Sequence, residues 1–302
     1  MTSQTTTAAT SGTWKLGDST VNRIGFGTMR LTQHGEAFAA DAVPRDRDQA
    51  IDVLRRAVEL GVNHIDTAAF YFSRLRSANE LINRALAPYP DDLVITTKVG
   101  PGRDPSGRWL PHATPTQLRG QVEENLRQLG RDHLDVVNLR IVGADSIAER
   151  FGALAELREA GLIRHLGLSN VRPHHLAEAQ TIAPVVCVQN MYGIGASREQ
   201  QEFLHTCGEQ HIAFVPFYSI AGTGRTAGAI TDDSGEIHAI ARAHGVSAAQ
   251  IRLTWTLHQG SHVLAIPGTG DPGHLAQNVA AGLLRLSQDE LTAIASLHHG
   301  AA

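Results

Sequence analysis

The sequence predicts a single α/β domain, a (β/α)8 TIM barrel, and three observations lead there. A unit of amphipathic helix, glycine stop and short apolar strand repeats from Asp46 onward. Eight short runs have the near-continuous apolar character of strands buried on both faces. The length of 302 residues, 42% of them hydrophobic, suits one large core in the size range where such barrels stay undivided. Parallel strands joined through helices require right-handed crossovers, and eight such units close into a barrel, with an open doubly wound sheet as the runner-up.

Residues 1–13, MTSQTTTAATSGT, are polar with neither an apolar stretch nor a charged leader, so they read as a disordered tail and not a signal peptide. Residues 14–302 form the domain. Trp14 to Val21 is expected to plug the lower mouth as a hairpin, with an N-terminal strand, RIGFG (Arg23 to Gly27), after it. Asp46 and Asp48 are cap candidates for a helix whose stripe is Ala50, Val53, Leu54, Ala57 and Val58. Gly61 stops it, and HIDTA (His64 to Ala68) follows as a strand. LVITTK (Leu93 to Lys98) is the third strand. Thr114, Pro115 and Gln117 then make a capping box with proline at the first helical position, and Gly130 ends that helix before DVVNL (Asp135 to Leu139). A further helix between Ser146 and Gly161 feeds HLGLS (His165 to Ser169). VVCVQ (Val185 to Gln189), AFVPFY (Ala213 to Tyr218) and VLAIP (Val263 to Pro267) complete the eight. Two long irregular segments, 100–113 and 219–235, are expected to be functional, because loops of that length are uncommon in compact domains.

A formal charge of −4 with acids and bases interspersed offers no basic stripe for nucleic acid. No apolar run approaches a membrane span. The two cysteines, Cys187 and Cys207, lack CxxC spacing and read as small core hydrophobes, which predicts a reducing, cytoplasmic location. The sixteen histidines show no HExxH or comparable spacing, so no metal is expected. The sequence does not reveal the oligomeric state.

Barrels of this type build their sites at the carboxyl ends of the strands. Those ends carry Asp66 with Tyr71 beyond it, Lys98, Arg140, Ser169 and Asn170, Gln189 and Asn190, and Phe217 to Ser219. Each has a bland alternative: Asp66 as a helix cap, Tyr71 as a packed ring, Lys98 snorkelling to water. Jointly the bland readings weaken, because an acid, a base and a phenol converge on one rim. A phenol with a reference pKa of about 10 is a poor acid at neutral pH, but an ammonium roughly 4 Å away could favour the phenolate by about three pK units. Lys98 is expected to depress Tyr71 in this way, with Asp66 holding the lysine charged and in place, so that Tyr71 can protonate a carbonyl oxygen.

At these residues the chain resembles the aldo-keto reductase superfamily, from Trp14 to about Leu297. HIDTAAFY (His64 to Tyr71) followed by TTKVG (Thr96 to Gly100) is similar to the family's catalytic Asp, Tyr and Lys in order and approximate spacing. The resemblance implies a nicotinamide-dependent reduction of an aldehyde or ketone, with NADP(H) the favoured cofactor and NAD(H) its competitor. It implies that GLSN and VQN place Ser169, Asn170 and Gln189 on the nicotinamide amide, and that the ring stacks on Phe217. Tyr218, Ser219, Ile220 and Gly222 would clasp the pyrophosphate, and Gly27, Thr28 and Met29 would touch the cofactor beside Asp66. The segment IPGTGDPGHLAQN would hold the adenosine end through Gly268, Thr269, His274, Gln277 and Asn278.

Two departures stand out. Arg140 occupies the position where many members carry histidine, and a guanidinium only donates and stays charged. It is either a substrate contact or a structural ion pair, for instance with Asp66. The family's basic 2′-phosphate positions hold Gly268 and His274, with the anion Asp271 nearby, which is why NADH competes on electrostatics. WLP (Trp109 to Pro111) with VVNLR resembles the pyridoxal-reductase-like branch, which makes pyridoxal a candidate substrate and Trp109 a candidate wall of its pocket. A nicotinamide-binding regulatory subunit with little turnover is the rival reading.

Overall fold

The computed structural model describes residues 6–35, 37–39, 42–143, 146–220 and 235–297. Strands β1 (Thr13–Leu16) and β2 (Ser19–Asn22) pair antiparallel as a hairpin. Then β3 (Phe26–Gly27), β4 (His64–Asp66), β5 (Val94–Val99), β6 (Leu134–Arg140), β7 (Ile163–Ser169), β8 (Val185–Gln189) and β9 (Ala213–Phe214) form one parallel sheet in chain order. The eighth expected strand contributes through isolated parallel bridges, Val263 to Phe214 on one side and Ala265 to Ile24 on the other. Backbone bonds from Leu264 to Phe214 (2.9 Å) and from Gly25 to Ala265 (2.8 Å) join the last strand position to the first. The sheet therefore closes as a barrel, and the open doubly wound alternative does not describe it.

Helices α1 (Arg47–Glu59), α2 (Ala78–Leu86), α3 (Pro115–Leu129), α4 (Ala148–Glu159), α5 (Pro173–Gln180) and α6 (Arg198–Glu209) alternate with the strands. They are followed by α7 (Gly235–His244), α8 (Ala248–His258), α9 (Pro272–Ala280) and α10 (Gln288–Ser296). Asp46 caps α1 by accepting from the Gln49 N–H at 2.8 Å, and Asp48 lies in the first turn. The Thr114–Gln117 capping box is formed, and Gly130 ends α3 in the left-handed region at φ 64°. The N-cap residue of α4, Ile147, makes no side-chain cap; the Ser146 hydroxyl accepts from the Ala148 N–H (3.3 Å), and the Glu178 carboxylate of α5 accepts from the Ile147 N–H (2.8 Å) and the Ser146 hydroxyl (2.6 Å). No local pattern announces a cap supplied from the next helix. The AFVPFY strand stops after Phe214 because Pro216 has no N–H to donate, and pairing resumes at Phe217.

Part of the expected tail is ordered. Ala8–Ser11 is a 3-10 turn with Ala8 buried, its N–H bonded to Leu60 O at 2.7 Å, while the Ser11 hydroxyl accepts from the Ile24 N–H. One small apolar residue and two hydrogen bonds suffice to dock it, which polarity alone does not reveal. Of the expected tail, residues 1–5 lie outside the described residues.

The hairpin does close the lower mouth. Leu16 and Val21 are fully buried against Val94, Val136, Cys187, Ala213, Val215 and Leu264, the inward residues at the bottom of the barrel. Its turn is fixed by Asp18, which binds His165 and Arg164 at 2.8 and 2.6 Å; those partners hold its carboxyl at about 2. Strand alternation then stacks polar layers above this apolar floor: Thr96 and Asn138 in the middle, Lys98, Arg140 and Gln189 toward the top. The interior thus changes from hydrocarbon to polar along the barrel axis. Both cysteines are buried and free, and burial pushes both thiols up to about 12. Among the described residues no helix is long and apolar enough to cross a membrane.

Leu16→Ala should cost about 2–5 kcal/mol, the range for a fully buried leucine. Chemical denaturation reads this loss, and the site at the opposite mouth should keep its cofactor affinity in the fraction that folds.

Candidate active site

Asp66 ends β4, and its two oxygens reach across the barrel in different directions. Lys98 Nζ, from the next strand, donates to Oδ1 at 2.6 Å and to the Thr67 carbonyl at 2.9 Å. Gln189 Nε2, from β8, donates to Oδ2 at 2.7 Å. The pair is nearly dry, with side-chain exposures of 2% for Lys98 and 4% for Asp66. A buried ion pair survives only when its remaining hydrogen-bonding capacity is filled, and here a carbonyl and an amide fill it. The helix-cap and snorkelling alternatives therefore do not apply.

Tyr71 is held by a tight turn, its N–H bonded to Ala68 O and its carbonyl accepting from Ala78. Lys98 Nζ lies 4.8 Å from its ring centroid. The expected depression of the phenol is corrected here: burial is the largest influence and raises its pKa above the ordinary value. Lys98 pulls the other way, Asp66 reinforces the rise, and Arg140 opposes it. The charge of Lys98 is shared with its own carboxylate, so its effect on Tyr71 is weaker than that of an isolated ammonium.

Arg140 makes no ion pair among the described residues, and both Asp66 oxygens are otherwise engaged. Its Nη1 donates to the Ser169 hydroxyl at 3.1 Å, and its guanidinium lies 5.1 Å from the Phe217 ring centroid. The structural ion pair with Asp66 is thus absent. With Lys98 and Asp66 cancelling, Arg140 contributes a positive charge that no carboxylate among the described residues pairs.

The cavity, about 600 Å³, runs from Tyr71 to the start of α9. Around its mouth Phe70 meets Tyr71 edge-on at 5.1 Å, Phe38 lies 5.8 Å from Tyr71, and Trp109 packs at 5.2 and 5.7 Å on Phe38 and Phe70. Trp109 remains 48% exposed, so the long segment after β5 does deliver an aromatic face to the site. Arg103 binds these parts together. It donates to the carbonyls of Phe72 (2.7 Å), Phe70 (3.4 Å), Phe38 (3.4 Å) and Gly107 (2.9 Å), with its guanidinium near the rings of Phe38 and Trp109.

Of the residues expected to hold a cofactor, Gly27, Met29, Asp66, Gln189, Phe217, Tyr218, Ser219 and Ile220 line one part of this cavity. Gly268, Thr269, His274, Gln277 and Asn278 line the far part. Three others sit apart from its lining. Thr28 is buried, its hydroxyl bonded to Thr67 and to Asp66 O. Ser169 is reached through Arg140, and Asn170 donates its amide to Ile141 O at 2.9 Å. Asn190 clasps the Val171 backbone. Gly222, with the rest of 221–234, lies outside the described residues. Gln189 lines the cavity, and its buried Oε1 has no hydrogen-bond partner among the described residues, an acceptor of the kind a carboxamide N–H would satisfy. The residues present therefore fit a nicotinamide cofactor. Sequence reasoning missed Arg30, Phe38, Arg45 and Phe70, which also line the cavity. Only the length of the loops carrying them hints at a role.

Over residues 23–299 the chain matches the aldo/keto reductase family. It is 42% identical over 291 residues to pyridoxine 4-dehydrogenase of Escherichia coli (strain K12), covering 94% of this chain and 97% of that protein. An aldo-keto reductase from Klebsiella pneumoniae, solved in complex with NADPH, superposes with a TM-score of 0.78 at 27% identity, covering 95% of this chain and 94% of that one. The thermostable aldo-keto reductase Tm1743, solved with the inhibitor epalrestat, gives 0.78 at 27% identity over 94% and 99% of the two chains.

Beneath Asp66, the fully buried His64 shares a 3.4 Å hydrogen bond with Thr96, and burial pushes it down to about 4. Below pH 6.5 the unfolded chain protonates this group while the folded one does not, so its contribution is present above pH 6.5 and lost as pH falls toward 4. At about 1.4 kcal/mol per unit the loss is roughly 3 kcal/mol. The unfolding free energy of the wild type, measured by chemical denaturation, should fall by roughly 3 kcal/mol more between pH 7 and 4 than that of His64→Gln.

Proposed function

The chain belongs to the aldo/keto reductase family, and on that premise we propose that it reduces an aldehyde or ketone to an alcohol with a reduced nicotinamide, NADPH before NADH, and with Tyr71 as proton donor. The bound nicotinamide supplies the hydride. Gln189 orients the carboxamide through its unpartnered oxygen, Phe217 offers the stacking face, and Thr269, His274, Gln277 and Asn278 hold the adenosine end. Tyr71, protonated at neutral pH, gives its proton to a carbonyl oxygen that is becoming a much stronger base. Lys98 stays on Asp66 and steadies the negative charge left on the phenol. The observation that carries this reading is the position of Tyr71 against the Lys98–Asp66 pair on the wall of a single cavity.

The substrate reading is a pyridoxal-like aromatic aldehyde. Phe38, Phe70 and Trp109 give a flat ring an aromatic wall, and a relative with 42% identity is named pyridoxine 4-dehydrogenase. Arg140 meets the carbonyl or an anionic oxygen beside it, because its fork has donors to spare and no carboxylate partner.

Titration with NADPH and NADH, followed by turnover of an aldehyde panel that includes pyridoxal, tests the reading. Saturable binding without turnover of any carbonyl would favour a regulatory subunit. Tyr71→Phe should keep cofactor affinity and lower the reduction rate roughly 10²- to 10⁴-fold, the range for a lost general acid; full turnover in that variant would displace Tyr71. Reduction needs the protonated phenol, whose pKa is raised, so the alkaline limb of kcat/KM should lie above pH 10. Arg140 opposes that rise, so Arg140→Met should move the limb higher still while weakening turnover. An unmoved limb with unchanged efficiency would take Arg140 out of the site.

A further inference from the structure

We propose that Arg45 is the cation that receives the 2′-phosphate of NADPH, in place of the basic residues that Gly268 and His274 fail to supply; this rests on the nicotinamide reading above. A Cβ at Gly268 would lie 2.5 Å from the Gly27 carbonyl oxygen, where the first and last barrel strands meet, so no side chain of any charge can start from that position. The cation must come from elsewhere.

Arg45 lines the cavity together with Thr269, Gly270 and His274, at the end remote from Tyr71. A Cβ built on Gly270 would collide with Nε and Cζ of Arg45, so the guanidinium occupies the space that any side chain at 270 would claim. Two glycines thus divide the work: one lets two strands touch, the other makes room for an arginine from a different loop.

Arg45 is anchored by its Nε, which donates to Arg30 O at 3.0 Å, and its backbone is held by Thr32 O and by Arg76. Among the described residues its two terminal nitrogens have no hydrogen-bond partner and no carboxylate lies within ion-pair distance, while Asp271 is near enough to favour its charge. Asp271, the anion that argues against NADPH in the sequence, caps α9 by accepting from the His274 N–H at 2.8 Å and stays charged, and Arg45 is the cation that its charge faces. A guanidinium fixed at its stem, with the four N–H bonds of its two terminal nitrogens unused among the described residues, matches a phosphate dianion, whereas the 2′-hydroxyl of NADH offers it no charge.

Fluorescence titration should show Arg45→Met weakening NADPH binding roughly 10- to 100-fold, the loss of a charge-assisted contact, with NADH affinity changed less than about threefold. Gly270→Ala keeps every charge yet displaces the guanidinium, so it should weaken NADPH in the same direction. By calorimetry, 2′,5′-ADP should bind the wild type more tightly than 5′-AMP, with the gap closing in Arg45→Met and narrowing with salt. Retained NADH binding in each variant shows that it folds. Equal loss of both cofactors, no loss of NADPH, or no wild-type preference for 2′,5′-ADP would overturn the assignment of Arg45 and leave the enzyme reading standing. Failure of the wild type to bind either dinucleotide would overturn both.

Discussion

The Asp66 carboxylate is the constraint around which the upper barrel is arranged. Buried and charged, it must be paired with a cation and have its second oxygen filled, and Lys98 and Gln189 do this from two other strands. One side chain thereby fixes the relative heights of β4, β5 and β8. Desolvating such ions costs several kcal/mol each, so the arrangement is weak evidence for stability and stronger evidence for a site kept polar for its chemistry. The apolar floor supplied by the hairpin makes that tolerable, since packing lost at the top is recovered at the bottom.

Most of the fold was legible because its signals are local. Helix spacing after Asp46, the Thr114 capping box and the glycine stops depend on neighbours within one turn, and each appears in place. Strand existence was legible and strand extent was not: Pro216 interrupts one run, and the closing strand touches both neighbours only at single bridges. The docking of Ala8–Ser11 and the cap that Glu178 lends to α4 depend on contacts across tens of residues, which periodicity does not carry.

The site divides in the same way. Asp66, Tyr71, Lys98 and Gln189 were legible because strand ends are read in order and their side chains have few places to go. Arg45, Phe38 and Phe70 were not, since they reach the cavity from loops whose course follows no period. The direction of the Tyr71 shift also escaped. Counting Lys98 alone predicts depression, whereas burial and the opposing Asp66 reverse the sign, and both are properties of the assembled site. Arg140 was identified as a departure, but its freedom became evident only once both Asp66 oxygens were seen to be taken.

Arg103 links backbone carbonyls from three loops at the mouth, at Phe38, Phe70 with Phe72, and Gly107. Separate loops would each lose freedom when a substrate arrives, and each loss would subtract from affinity. Stitched by one guanidinium, they behave as a single collar whose ordering cost has largely been met during folding. The spacing of Phe38, Phe70 and Trp109 is then a property of the collar as a whole, and widening the entrance means breaking several of these hydrogen bonds at once.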